Sequence, residues 1–141
     1  MEYQRFGSDI IVRMDRGEEI LSGLKEVCLK EKVKLASIYA IGAVDEFQVG
    51  LYDVEKREYE SRTYTGPYEI LSLLGNVTTK NGEYYAHLHM SCSGEDGKAV
   101  GGHLNRARIS GTLEMFIHVI DGSIDRKVDE ATGLNVFDFG K

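Results

Sequence analysis

Cysteine is scarce in this chain. Cys28 and Cys92 are the only two in 141 residues, and two thiols so far apart make no disulfide framework. Positive charge is scarce as well. Seventeen Lys and Arg stand against 23 Asp and Glu, a net charge of −6. A broad surface for nucleic-acid phosphates needs clustered cations, and this balance opposes one. Arg106 and Arg108 are the only candidates for a local basic patch. No apolar run approaches the roughly 18–20 residues of a membrane-spanning helix. Residues 1–5, Met-Glu-Tyr-Gln-Arg, lack the apolar core of a secretory signal. A cytoplasmic protein that touches no membrane is therefore expected. Glycine-rich phosphate loops and dinucleotide fingerprints are missing. Ser91 and Ser93 stand near histidines, but neither sits on the strand-to-helix elbow of a nucleophilic serine. With no repeat, linker or low-complexity tract, the chain reads as a single domain over 1–141. A domain of that length buries about two-thirds of its unfolded surface.

Histidine is concentrated instead. Three of the four histidines, His87, His89 and His103, fall within seventeen residues. Residues 83–93 alternate: Tyr84, Ala86, Leu88, Met90 and Cys92 hold one parity, Tyr85, His87, His89, Ser91 and Ser93 the other. Period two with one apolar set marks a half-buried strand. On the apolar parity Cys92 reads as a core thiol. After Gly94-Glu95-Asp96-Gly97-Lys98 the pattern resumes, with Val100 and Leu104 apolar and Gly101 and His103 on the other parity.

A three-residue loop, Glu95-Asp96-Gly97, suits this turn, with Gly97 taking positive φ. That loop sets Ser93 opposite Ala99 and His89 opposite His103. Opposed side chains share a face with Cβ atoms about 4.5–5.5 Å apart, and His87 becomes the diagonal neighbour of His103. A two-residue loop would oppose His103 to Leu88, on the wrong face. The three-residue loop also keeps Val100 and Leu104 with Leu88, Met90 and Cys92, so turn chemistry and hydrophobic pattern select one register. Three imidazoles on one face are the protein half of a metal site; the bland alternative is three histidines on a polar surface. Gly101 and Gly102 indicate a close approach by another backbone or a ligand.

One helix is expected over about residues 16–32. Asp15-Arg16-Gly17-Glu18 resembles a capping box, and Ile20, Leu21, Leu24, Val27 and Cys28 follow at helical spacing. The remainder reads as strand: Ile10–Met14, Leu35–Ala43, a hairpin of Phe47–Tyr52 and Arg57–Tyr64 about the turn 53–56, Tyr68–Val77 opened by Gly66-Pro67, Ile109–Ile120, and a short final strand at Leu134–Phe137. Within Thr112–Ile120, Leu113, Met115, Ile117 and Val119 form an apolar face, and Glu114 falls on the other. A carboxylate inside a strand is costly to bury without a partner. Glu114 is thus a candidate to orient a metal-bound imidazole or to act as a catalytic base, the alternative being a partly exposed carboxylate or an ion pair with Arg108. His118 reads as a packing or interface histidine.

Several segments together resemble the plants-and-prokaryotes-conserved (PPC) domain family, also described as predicted DNA-binding proteins with a PD1-like motif. They are Gly42-Ala43, Gly50-Leu51-Tyr52-Asp53, Gly66-Pro67-Tyr68-Glu69-Ile70-Leu71-Ser72-Leu73-Leu74-Gly75-Asn76, His87-Leu88-His89 and Gly101-Gly102-His103-Leu104. The resemblance implies an α+β fold, with a central antiparallel barrel-like sheet and a packed helix, and it implies a homotrimer. Members that keep the three histidines look like metal proteins, usually with zinc. The resemblance carries the ligand role to His87, His89 and His103, and Glu114 matches a glutamate in the strand after the hairpin. Plant relatives grip DNA through a separate Arg-Gly-Arg-Pro hook. Here Arg16-Gly17 is followed by Glu18, so DNA as a partner is disfavoured by both the missing hook and the acidic charge.

Three neutral imidazoles suit Zn²⁺, and also Cu, Ni or Fe. They leave a fourth position for water or a small anionic ligand, the pattern of catalytic rather than closed structural zinc. Three functions fit this donor set: metal-dependent hydrolysis with Glu114 as base, DNA-associated assembly around a structural metal, and small-molecule sensing at a trimer interface.

Overall fold

The computed structural model describes residues 1–140. Eight strands and one helix follow in the order β1 (Glu2–Phe6), β2 (Asp9–Asp15), α1 (Ile20–Lys30), β3 (Ala36–Asp53), β4 (Glu58–Lys80), β5 (Glu83–Ser93), β6 (Ala99–Val119), β7 (Asp125–Val128) and β8 (Asn135–Asp138). Six antiparallel strands lie in the order β1-β2-β6-β3-β4-β5, and a further β5–β6 pairing closes β3, β4, β5 and β6 into a barrel-like ring. The fold is α+β, as expected. No helix among the described residues is long and apolar enough to cross a membrane.

Strand β6 organises the sheet. One edge bonds to β3 over almost its whole length. The other edge is shared: β5 takes residues 99–103, and β2 takes residues 112–118. The gap between them is filled by the chain entering the helix. Gly17 N–H donates to the Ile109 carbonyl at 2.8 Å, Ile109 N–H donates to the Glu18 carbonyl at 3.0 Å, and Glu19 bridges to Arg108.

This pairing corrects the helix boundary. The capping contact at Asp15 does form, with its amide donating to Glu18 Oε2 at 2.7 Å. Gly17 and Glu18 are nonetheless hydrogen-bonded to β6 and Glu19 is extended beside it, so the helix begins at Ile20. Glu19 is its N-cap and accepts from the amides of Leu21 and Ser22. Ile20, Leu24, Val27 and Cys28 are buried against the sheet, each contributing roughly 1.5–3 kcal/mol of gross burial for a full-sized apolar side chain.

The expected strand segments fuse. Leu35–Ala43 and Phe47–Tyr52 are parts of one strand, β3, with register shifts after Ala40 and Val44. Arg57–Tyr64 and Tyr68–Val77 likewise join in β4, through Gly66-Pro67 rather than starting there. The shift between Val44 and Glu46 absorbs the extra residue at Gly66-Pro67, where Gly66 has φ +118° and Pro67 has no amide to give the ladder. The turn expected at 53–56 forms one residue later, over 54–57, with Asp53 paired to Glu58 and Lys56 N–H on Asp53 Oδ1 at 3.0 Å. Strands β1 and β7 carry too little alternation to read from sequence. The core is one continuous buried cluster, in which Leu88, Met90, Cys92, Leu104, Leu113, Met115 and Ile117 join the helix stripe. Burial pushes the Cys28 and Cys92 thiols up to about 12, so neither offers a thiolate.

Candidate metal centre

The β5–β6 hairpin has the expected register. Gly97 N–H closes the turn on the Gly94 carbonyl at 3.0 Å, Gly97 takes φ +72°, and Ser93 faces Ala99 while His89 faces His103. The imidazoles lean together on the outer face. Ring centroids are 5.1 Å apart for His87–His89 and His87–His103, and 5.7 Å for His89–His103. One ring nitrogen from each lies within 4.8 Å of the others, and the Nε2 atoms of His87 and His89 are 3.2 Å apart. Two donors on a tetrahedral ion with Zn–N bonds of about 2.0–2.1 Å stand about 3.3 Å apart. The His87–His89 pair stands at that spacing, and the His103 donor lies within 4.8 Å of both.

Electrostatics favours the ligand form of His87 and His103. Burial, then the charges of His103 and His89, lowers the pKa of His87 from its ordinary value to about 4. Burial, then the His89 charge, lowers that of His103. Neutral imidazoles with free lone pairs are what a metal requires.

Glycines make the space. A Cβ on Gly102 would stand 2.5 Å from the Gly50 carbonyl oxygen, and one on Gly101 would strike the Met90 carbonyl. The glycine pair before His103 thus lets β6 sit close between β3 and β5. Gly50, opposite His103 across the β3–β6 ladder, leaves the room that the Tyr59 side chain occupies. The Tyr59 ring meets His103 edge-on at 6.0 Å.

The histidines form one wall of a cavity of about 610 Å³. Leu51, Tyr52 and Tyr59 come from the β3–β4 hairpin, Tyr85 from β5, and Leu134 and Val136 from the C-terminal segment. Arg126 in β7 pins that segment. It is 7% exposed, its guanidinium lies between the rings of Tyr85 and Phe137 at 4.6 and 4.7 Å, and it donates to Thr78 Oγ1, the Asn135 carbonyl and Asn76 Oδ1 at 2.7–2.8 Å. Tyr52 donates to the Thr132 carbonyl at 2.9 Å and fastens the other end.

Glu114 is not brought to this site within the chain. It lies eleven positions along β6 from His103, exposed to solvent, beside Arg13 on β2 and Ile41 on β3. Exposure removes the burial cost that had singled it out. Its alternative partner Arg108 instead donates to Asp45 at 2.8 Å, and Arg106 pairs with Glu46 at 2.8 Å, so the local basic patch is neutralised. His118 is exposed and places Nδ1 2.9 Å from Asp9 Oδ1.

Sequence reasoning missed the cavity's other walls. Tyr85 shares the parity of His87 and His89 and was open to the same argument. Tyr52 and Tyr59 are opposed residues next to a turn. Leu134–Phe137 reads as a short final strand and overlaps β8, but its position over the histidines depends on contacts such as Tyr52–Thr132, 80 residues apart in sequence.

Comparison with known proteins places the chain. No curated protein matches it in sequence. Among solved structures, a metal-containing protein of Archaeoglobus fulgidus is 36% identical, with 96% of each chain covered and a TM-score of 0.87. A plant- and prokaryote-conserved protein of Pyrococcus horikoshii is 32% identical over 99% of this chain and 95% of its own, with a TM-score of 0.85. A candidate DNA-binding protein of Bacteroides thetaiotaomicron superposes with a TM-score of 0.96 at 29% identity, covering 99% and 98%. Residues 1–121 match the Plants and Prokaryotes Conserved (PCC) domain, and the chain belongs to that family.

Proposed function

We propose that this protein is a homotrimeric metal-binding protein that holds a divalent ion, zinc by donor type, on His87, His89 and His103 and offers it to a small ligand. The convergence of three imidazoles, with donor atoms within 4.8 Å, carries this reading. Ligands on paired strands are held without loop flexibility. The metal-containing A. fulgidus relative, 36% identical, adds support. A zinc ion there would supply Lewis acidity to an oxygen ligand. The chain's own residues fix the donors, favour the neutral form of His87 and His103 and wall the cluster off with aromatic side chains.

The trimer has support in an apolar outer face. Tyr39, Ile41 and Leu74 are 49%, 56% and 57% exposed, and Tyr39 stacks on half-buried Phe116 at 4.8 Å. Contiguous apolar surface of this kind fits association with further copies of the chain. Elemental analysis tests the metal: close to one zinc per chain is expected, and protein that stays metal-free after incubation with zinc would refute the site. Light scattering tests the assembly, a monomer being the contrary outcome.

A second reading, DNA-associated assembly around a structural metal, is favoured by the candidate DNA-binding neighbour. The net charge of −6 and the carboxylate partners of Arg106 and Arg108 weigh against it. Duplex binding that weakens steeply with salt would restore it.

A further inference from the structure

We infer that the cavity over the three histidines takes a small organic monoanion: a carboxylate carried on an apolar or aromatic body, with the Tyr85 hydroxyl as its protein donor. The inference rests on the metal reading above and names the ligand class for that site. At about 610 Å³ the cavity is sized for a small molecule. Apart from the histidines, its charged-residue count is nil, and its lining side chains are mainly aliphatic and aromatic. A phosphate ester is recognised through arginine forks, lysines or helix N-termini, and none of these lines the cavity. A carboxylate needs only the metal and a donor.

The donor can be named. Of the three lining tyrosines, Tyr52 spends its proton on the Thr132 carbonyl and Tyr59 on Asn105. Tyr85 differs. Its oxygen accepts from Asn135 Nδ2 at 3.3 Å, which leaves its proton free to donate. The guanidinium 4.6 Å over its ring holds the phenol in place. Arg126 is buried, with neutral oxygens as its hydrogen-bond partners and no ion pair to any described residue. An uncompensated buried cation beside a cavity favours an anion within it. The body of the ligand would lie against Leu51, Leu134 and Val136. The last two come from a segment beyond the family match at residue 121, so selectivity for the body is set by the C-terminal hairpin.

The test uses cobalt in place of zinc, since its visible absorption reports both uptake and ligand exchange. The full-length protein is loaded with Co²⁺ and titrated with phenylacetate, acetate and inorganic phosphate. Phenylacetate should shift the bands at a concentration at least about tenfold below acetate, with phosphate weaker than phenylacetate. Tyr85→Phe keeps the ring over Arg126 and should retain cobalt while losing several-fold in phenylacetate affinity. Leu134→Glu, at a residue 39% exposed, should do the same by placing a carboxylate at the rim. Failure to take up cobalt overturns the metal reading and this inference together. Cobalt uptake with acetate or phosphate equal to phenylacetate, or with phenylacetate affinity untouched in both variants, overturns the ligand class alone.

Discussion

The two ends of strand β6 make an instructive pair. Each carries a histidine on the outer face of the same strand. At the first end His103 lies between β5 and β3, half-buried, with two other imidazole rings within 5.7 Å. At the second end His118 lies between β2 and β3, exposed, with Asp9 as its partner. Fifteen positions separate them, so strict alternation would turn them to opposite faces; the register shift between Leu104 and Arg106, opposite Val49 and Gln48, brings both outward, yet only the first meets a second histidine strand and a covering hairpin. A histidine becomes a candidate ligand through what the neighbouring strands place beside it, not through its own position in a strand.

The sharpest way to break this comparison is to delete one histidine from each end. His103→Ala should weaken zinc binding by about 100-fold or more, since loss of a ligand exceeds the roughly 10–100-fold cost of outer-shell changes. His118→Ala should leave it unchanged. Competition with a chromogenic chelator reads both, and equal losses would mean that the ends do not differ. Backbone fit gives the next contrast. Gly102→Ala forces a Cβ to 2.5 Å from the Gly50 oxygen, whereas Gly111→Ala finds nothing closer than the Ala43 Cβ at 3.7 Å. Urea unfolding should show a loss of about 1–3 kcal/mol for the first and little change for the second.

Removing the pin of the C-terminal hairpin sharpens the contrast further, since only the His103 end is covered. Arg126→Met leaves Thr78, Asn76 and the Asn135 carbonyl without their donor, at a cost of about 1–3 kcal/mol. Amide exchange over residues 125–138 should accelerate while that of β2 stays as it was.

A pH series on metal-free protein follows. The folded pKa of His87, about 4, lies below its unfolded value near 6.5, and burial lowers His103 in the same direction. Between those pH values the unfolded chain binds more protons than the folded one. Stability contributed by the neutral pair is therefore present above pH ~6.5 and lost as pH falls towards about 4. NMR titration of the ring protons should locate His87 near 4; an unshifted midpoint would show the ring to be solvated. The smallest effect is expected from Glu114→Gln at the exposed end, with metal content unchanged and stability within about 0.5 kcal/mol.

Much of the candidate centre was legible because strand geometry has period two. Given Gly97 as the positive-φ residue, the parity of Leu88, Met90 and Cys92 fixes the face of His87 and His89, and a one-residue slip would have buried imidazole against the core. Glu114 shows where parity stops. Eleven positions from His103, it would lie on the opposite face by strict alternation; the register shift between Leu104 and Arg106 returns it to the outer face, but a strand of 21 residues separates its ends, so a shared face is no shared site. The helix start was misplaced for a related reason. The local capping signal at Asp15 is real, but the edge of β6 between β5 and β2 needed bonding partners, and residues 17–19 supply them.

The amino-acid sequence by itself determined the strand alternation, the turn at Gly97, the helix stripe and the register that opposes His89 to His103, because each depends on residues close in the chain. Tertiary structure alone decided that β6 shares one edge between β5 and β2, that Tyr59 lies across Gly50, and that Arg126 draws residues 133–136 over the histidines. These contacts join residues tens of positions apart, and their partners are chosen by shape and hydrogen-bond satisfaction across the folded molecule, which no local pattern encodes.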